Sequence, residues 1–392
     1  MQLYAEKEVN LLSDFPETIQ FNHVVVLPAY KEELGFIERF IAAPFIQDKV
    51  LMILVVNQPD SDNNSRPQQL LAEHVLSKGN CIWSRDNLQL ILLSTSHSAI
   101  LLVDRFTEAI NIKFGVGQAR KIGADLASAL IESGHVKSQW IASTDADASL
   151  PDDYFSVLPS LKKNQVAGCF NFSHQSDDVA IHKANALYER AMRYYVAGLL
   201  FAQSPYAFFT IGSVLVFDKS AYINVRGFPK KNAGEDFYLL NKLAKIGQVA
   251  FLDKTTVRLE ARESDRVPFG TGPSVSHIMS LAKENKAYLY YHPQVFHCLK
   301  TTLSAFKQLY QHRYEIDQWY FSLSIEVVAV LRLLDFESFI TKQTHVSEKQ
   351  FSYQLVVWFD ALKTLKFIHH CRDLYFPNID LAQAIKTAEF DC

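Results

Sequence analysis

The sequence predicts an α/β fold: a mostly parallel sheet with helices on both faces over residues 1–270, then a mainly helical region over 271–392 packed on it. Three observations predict it. Runs of Val, Ile and Leu are continuous rather than alternating, the pattern of strands buried on both faces. Segments with helical periodicity stand between them, as βαβ units require. Beyond about residue 270 the strand-like runs give way to amphipathic, aromatic-rich segments.

In chain order, strands are expected at "HVVVLP" (23–28), "VLMILVV" (50–56), "LQLILLS" (88–94) and "WIAST" (140–144). Helices are expected at "KEELGFIERFIAA" (31–43), "PQQLLAEHVLSK" (67–78) and "GQARKIGADLASALIES" (117–133), and "LPDDYF" (150–155) reads as a helix start. Further strands are expected at "VAGCFNF" (166–172), "GSVLVF" (212–217) and "QVAFLD" (248–253). Residues 194–217 carry no charge and are long enough to span a bilayer. Yet "QSP" interrupts them, so they read as a helix end, a loop and a buried strand rather than a membrane span.

Composition removes several classes. A net charge of −3 argues against an electrostatically driven nucleic-acid binder. The five cysteines are scattered with no CxxC, and neither HExxH nor a Cys/His zinc spacing occurs. A reduced cytoplasmic protein is therefore expected rather than a disulfide scaffold. The N-terminus lacks a basic segment followed by a long apolar one, so it does not read as a signal peptide. "GVGQARKIG" contains GxG, but its spacing departs from the dinucleotide fingerprint.

In open α/β sheets ligands bind beyond the carboxyl ends of the strands, where strand order reverses. That directs attention to "PAYKEE", "NQPDSDNN" and "DAD". If the strand at 140–144 continues, Asp145 and Asp147 lie on one face, because side chains alternate with period two. Two carboxylates so close repel, and a hard cation such as Mg2+ or Mn2+ between them removes the conflict. A second acidic pair, Glu235 and Asp236, opens the helix after "KKNAG". Carboxylates in a first helical turn suit the helix dipole, and at the rim of a site one would also serve as general base toward an acceptor hydroxyl.

These residues, in this order, resemble the family 2 glycosyltransferases, which have the Rossmann-like GT-A fold and use nucleotide sugars. The resemblance covers roughly residues 22–260 and rests on "VVVLPAYKEE", "GVGQARKIGADLA", "TDADAS" and "IGSVLVFDKSAYINVRGFP" followed by "GED". It implies that Pro28, Tyr30 and Glu32 line the nucleotide pocket and that Arg120 faces the donor. Asp145 would touch ribose or sugar, and Asp147 would ligate the Mn2+ or Mg2+ that bridges the diphosphate. Asp236 would deprotonate the acceptor, giving direct displacement with inversion; a retaining outcome would leave it without that role. The nucleotide-sugar donor and a carbohydrate, lipid-linked or small-molecule acceptor are the implied partners, in the cytoplasm or at the inner face of a membrane.

The chain departs from the family where "DDGS" commonly follows the second strand, because Asn57 stands there. Its amide both donates and accepts, so it still suits a nucleobase but leaves the choice of base open. Arg262 and Arg266, before a Gly-Thr-Gly turn, suit a loop closing on a diphosphate, and the alternative is a solvated surface loop. His277 is either a third metal ligand or a packed histidine. Two other functions fit some of the residues. One is a catalytically silent nucleotide-binding or scaffold protein. The other is a phosphatase with Asp145 as nucleophile, since "DADAS" matches DxDx[ST].

Overall fold

The computed structural model describes residues 4–261, 270–343 and 345–391. The described chain forms two compact units: one spans residues up to Asp178 with Thr210–Gly272, the other Val179–Phe209 with Pro273 onward.

The first unit is built on β1 (His23–Ala29), α1 (Gly35–Ala42), β2 (Val50–Pro59), α2 (Arg66–Leu76), β3 (Gly79–Arg85), β4 (Leu88–Leu93), β5 (Ala99–Ile110) and α3 (Gly115–Glu132). It continues through β6 (Trp140–Ser143), β7 (Ala148–Ser149) and β8 (Gln165–Gln175). The helix α4 (Val179–Phe201) leaves for the second unit, and β9 (Leu215–Asp218), α5 (Lys219–Asn224), α6 (Glu235–Leu243) and β10 (Gln248–Glu260) complete the first. These strands form one sheet in the order β3-β4-β5-β2-β1-β6-β9-β8-β10-β7. β1 pairs in parallel with β2 on one side and β6 on the other, so the order reverses at β1. β1 and β2 are buried along almost their whole length, which is why their sequences are unbroken Val, Ile and Leu.

The α/β class with a mostly parallel sheet holds, and two expectations are corrected. β4 is antiparallel to β5, and β5, not β4, lies beside β2. Only the short turn Ser94–Ser98 joins β4 to β5, too little for a parallel crossover, so the pair is a hairpin. "LPDDYF" forms successive turns rather than a helix. Pro151 leads this stretch, and Tyr154 and Phe155 fill the core beneath it. The uncharged stretch 194–217 resolves into the end of α4, a loop and β9, and among the described residues no helix is long and apolar enough to cross a membrane.

The second unit is helical: α4, α7 (Thr271–Lys283), α8 (Gln294–Phe306), α9 (Ile316–Tyr320), α10 (Ile325–Leu333), α11 (Phe336–Lys342), α12 (Glu348–Trp358), α13 (Ala361–Leu374) and α14 (Leu381–Thr387). It is thus not confined to the chain beyond residue 270. Tyr194 and Leu199 of α4 share its core with Phe296, Phe336, Phe351 and Phe367. Tyr194 is fully buried and donates its hydroxyl to the Tyr291 carbonyl at 2.9 Å. That places this aromatic in the core.

Candidate active site

The sequence motifs converge at the carboxyl edge of the sheet, on either side of the reversal at β1. β6 ends at Ser143, and the two aspartates fall in the turn beyond it, closed by the Ala148 N–H donating to the Asp145 carbonyl at 3.1 Å. The expected alternation through a continuing strand is therefore corrected: a turn, not a strand, presents Asp145 and Asp147. The turn is clamped at two points. Glu260 N–H donates to the Asp147 carbonyl at 2.9 Å, and Arg39 Nη2 of α1 donates to the Ala146 carbonyl at 2.6 Å.

Arg120, on the first turns of α3, is the hub. It is 3% exposed, and all three of its guanidinium nitrogens donate. Nε donates to Glu235 Oε1 at 2.8 Å and Nη2 to Asp145 Oδ1 at 2.6 Å. Nη1 donates to Ser143 Oγ at 2.9 Å and to the Thr144 carbonyl at 3.3 Å. One guanidinium thus ties together three segments far apart in sequence: α3, the end of β6 and the start of α6. Flanking carboxylates offset the cost of burying its charge and hold its pKa above the ordinary value.

Gly212 is required by this packing, since a Cβ there would stand 2.5 Å from Arg120 Nη2. Gly212→Ala is expected to cost about 1–3 kcal/mol through overpacking. Chemical denaturation measures that cost, and a midpoint unchanged from wild type would contradict the close approach.

The second acidic pair sits where α6 begins, after Gly234 in the left-handed region at φ 71°. Glu235 is buried against Arg120, whereas Asp236 keeps part of its surface accessible. Asp236 Oδ1 accepts from the Phe237 N–H at 2.7 Å. Removal from water, then the neighbouring Glu235 charge, push its pKa up to about 7, against the opposing pull of that N–H and of Arg120. A carboxyl poised near neutrality is the property a general base at physiological pH requires.

The preceding loop is seated on α3. The Gly117 N–H donates to the Lys231 carbonyl at 3.0 Å, and a side chain at 117 would run into the carbonyls of Pro229 and Lys231. The "GVG" of the sequence is therefore a docking point for the loop that sets Asp236.

On the β1–β2 side, Pro28 is buried at the end of β1, and Tyr30 donates its hydroxyl to Asp62 Oδ2 at 2.8 Å. Lys31 Nζ pairs with the same carboxylate at 2.9 Å. Lys31 first, then the Asn64 N–H and Tyr30, hold the Asp62 pKa down to about 2. Asp62 lies in "NQPDSDNN", among the strand-end loops already singled out, but was not itself predicted. Glu32 is half-buried. Asn57 is buried within β2, in register with Arg105 of β5, rather than in the loop beyond the strand.

The structure therefore brings together Arg120, Asp145, Glu235 and Asp236, with Asp147 in the same turn as Asp145. His277 belongs to α7 of the second unit, and Arg262 and Arg266 lie outside the described residues. Among the described residues, no group of three or more His, Cys, Asp or Glu could hold a metal ion.

No protein-family model and no curated protein matches the chain. Solved structures that align with it include residues 1–349 of S. aureus TarS in complex with UDP-GlcNAc, at 10% identity and a TM-score of 0.41, covering 86% of this chain and 91% of that one. The same TarS fragment with UDP aligns at 9% identity and 0.38 over the same shares. A mycobacterial protein aligns at 11% identity and 0.31, covering 70% of this chain and 80% of that one.

Proposed function

We propose that the protein is a glycosyltransferase of the family 2, GT-A type. It would move a sugar from a nucleoside-diphosphate sugar to an acceptor hydroxyl, with inversion. One observation carries this reading: Asp236, with a pKa near 7, is set beside a buried Arg120 that also holds Asp145, all at the sheet's reversal point. That combination suits a transfer in which a base faces a donor bound across the strand ends.

The base, the loop and the hub then have distinct tasks. The Asp236 carboxylate takes the proton of the acceptor hydroxyl as its oxygen bonds to the anomeric carbon. The bond from that carbon to the phosphate oxygen breaks, and the nucleoside diphosphate leaves. Arg120 positions Asp145 and Glu235 and keeps their charges compensed in the low-dielectric interior. Pro28, Tyr30 and Glu32 border the nucleotide, with Asn57 behind them in the sheet, and Arg262 and Arg266 are assigned to the diphosphate.

The donor set in the turn suits Mn2+ or Mg2+. Asp147 and Asp145 are the residues that would hold it, through the carboxylate oxygens that such hard cations prefer. When bound, the cation would neutralise charge developing on the leaving diphosphate.

Turnover tests the reading. The protein is incubated with a panel of nucleoside-diphosphate sugars, Mn2+ and a panel of carbohydrate, lipid-linked and small-molecule acceptors, and free nucleoside diphosphate is measured. Release from one donor, lost in Asp147→Ala, is expected. No release from any donor, or equal release by the variant, would contradict it.

A further inference from the structure

Away from the strand ends, α3 borders a second cavity. It holds about 320 Å³ and is lined by Lys121, Asp125, Tyr222, Arg226 and Gly227, with Tyr4 at its rim. Lys121 follows Arg120 in sequence but turns to this other side of the helix, where Nζ pairs with Asp125 Oδ2 at 2.8 Å. Asp125 is saturated: it also accepts from the Glu6 N–H at 2.9 Å and the Tyr222 hydroxyl at 2.8 Å. Glu6, the other acid nearby, is paired with Lys230 at 2.7 Å. Two cations exceed these pairs. Arg226 stands at the rim, its guanidinium 4.4 Å from the centre of the Tyr4 ring. Lys242, on α6, donates to the carbonyls of Val225 and Gly227, which are uncharged. Its pKa is pulled down to about 8 by desolvation and then by Lys121 and Arg226, which marks an excess of positive charge.

The backbone at Arg226 makes the arrangement more specific. α5 ends in a Schellman turn: the Gly227 N–H donates to the Tyr222 carbonyl and the Arg226 N–H to the Ile223 carbonyl, each at 2.9 Å. Arg226 occupies the left-handed position, at φ 63°, where glycine is favoured. The fold thus keeps an arginine where it is conformationally costly, at the mouth of a cavity with surplus positive charge.

We propose that this cavity is a second ligand site, which takes a small phosphorylated anion between Arg226 at the rim and Lys121 in its wall. The fork of Arg226 suits phosphate oxygens, and the Lys121 ammonium adds positive charge in the wall. The site is separate from the donor site and does not depend on the proposed transferase reading.

Thermal stability of the whole protein in inorganic phosphate, against chloride at matched ionic strength, tests it. A saturable rise of about 2–4 °C is expected at roughly ten times the half-saturating concentration. Arg226→Gly and Arg226→Asn tolerate the left-handed backbone, so both should fold at least as stably without phosphate and lose the rise. Asp147→Ala should keep it. Absence of a rise in the wild type, its persistence in both Arg226 variants, or its loss in Asp147→Ala would overturn the proposal.

Discussion

Asp236→Asn is expected to lower kcat/KM for sugar transfer by about 10²- to 10⁴-fold, the usual contribution of a positioned base. The same variant should be more stable than wild type at pH 8. The sign follows from the direction of the shift. The folded-state pKa of Asp236 is raised from 3.8 to about 7, so the folded protein binds the proton more tightly than the unfolded chain. Stability at this site is present below about pH 4 and is lost as pH rises through 7. A neutral amide avoids that loss. The gain is at most about 4 kcal/mol from the size of the shift, and smaller because the residue is only partly buried. The wild-type kcat/KM should rise with pH and level off above about pH 7, and Asp236→Asn should lack this inflection. Near-wild-type activity in the variant would remove Asp236 from the base role.

Arg120→Ala is expected to be the most destabilising substitution in the site, by about 3–5 kcal/mol, the range for breaking a buried ion pair. It would leave Glu235 buried without its partner and Asp145 without the donor at 2.6 Å, and free Ser143 and the Thr144 carbonyl. Both acidic motifs lose their shared anchor, so transfer should fall with stability. Arg120→Lys retains the charge but not the fork, and one ammonium cannot reach the partners that three guanidinium nitrogens serve. It should recover much of the stability and little of the activity. Urea denaturation read beside turnover separates the two effects, and full activity in Arg120→Lys would show that the fork is dispensable.

Much of the fold was legible because its central strands are buried on both faces and so are written as unbroken apolar runs. β5 was missed although "AILLV" at 99–103 has that texture. It follows β4 across one short turn, and the expectation of a helix after each strand left this stretch unassigned. Of the site, the acids and Arg120 were legible as motifs after strands. Their mutual geometry was not, because the Arg120 contacts join residues up to 115 positions apart. The strand-like alternation of Asp145 and Asp147 failed for a local reason: the chain turns after Ser143 to pair Ala148 and Ser149 with β10. Asp62 stayed hidden because its role depends on Tyr30 and Lys31 reaching across from β1.

The donor site is the centre of the account, and binding tests it more directly than turnover because no acceptor is needed. The measurement is thermal stability against a panel of nucleoside diphosphates, with and without Mn2+. A ligand that binds only the folded state raises the midpoint by mass action. The account predicts a rise for one nucleotide that requires the metal and disappears in Asp147→Ala. No rise for any nucleotide, or a rise indifferent to both metal and Asp147, would contradict it.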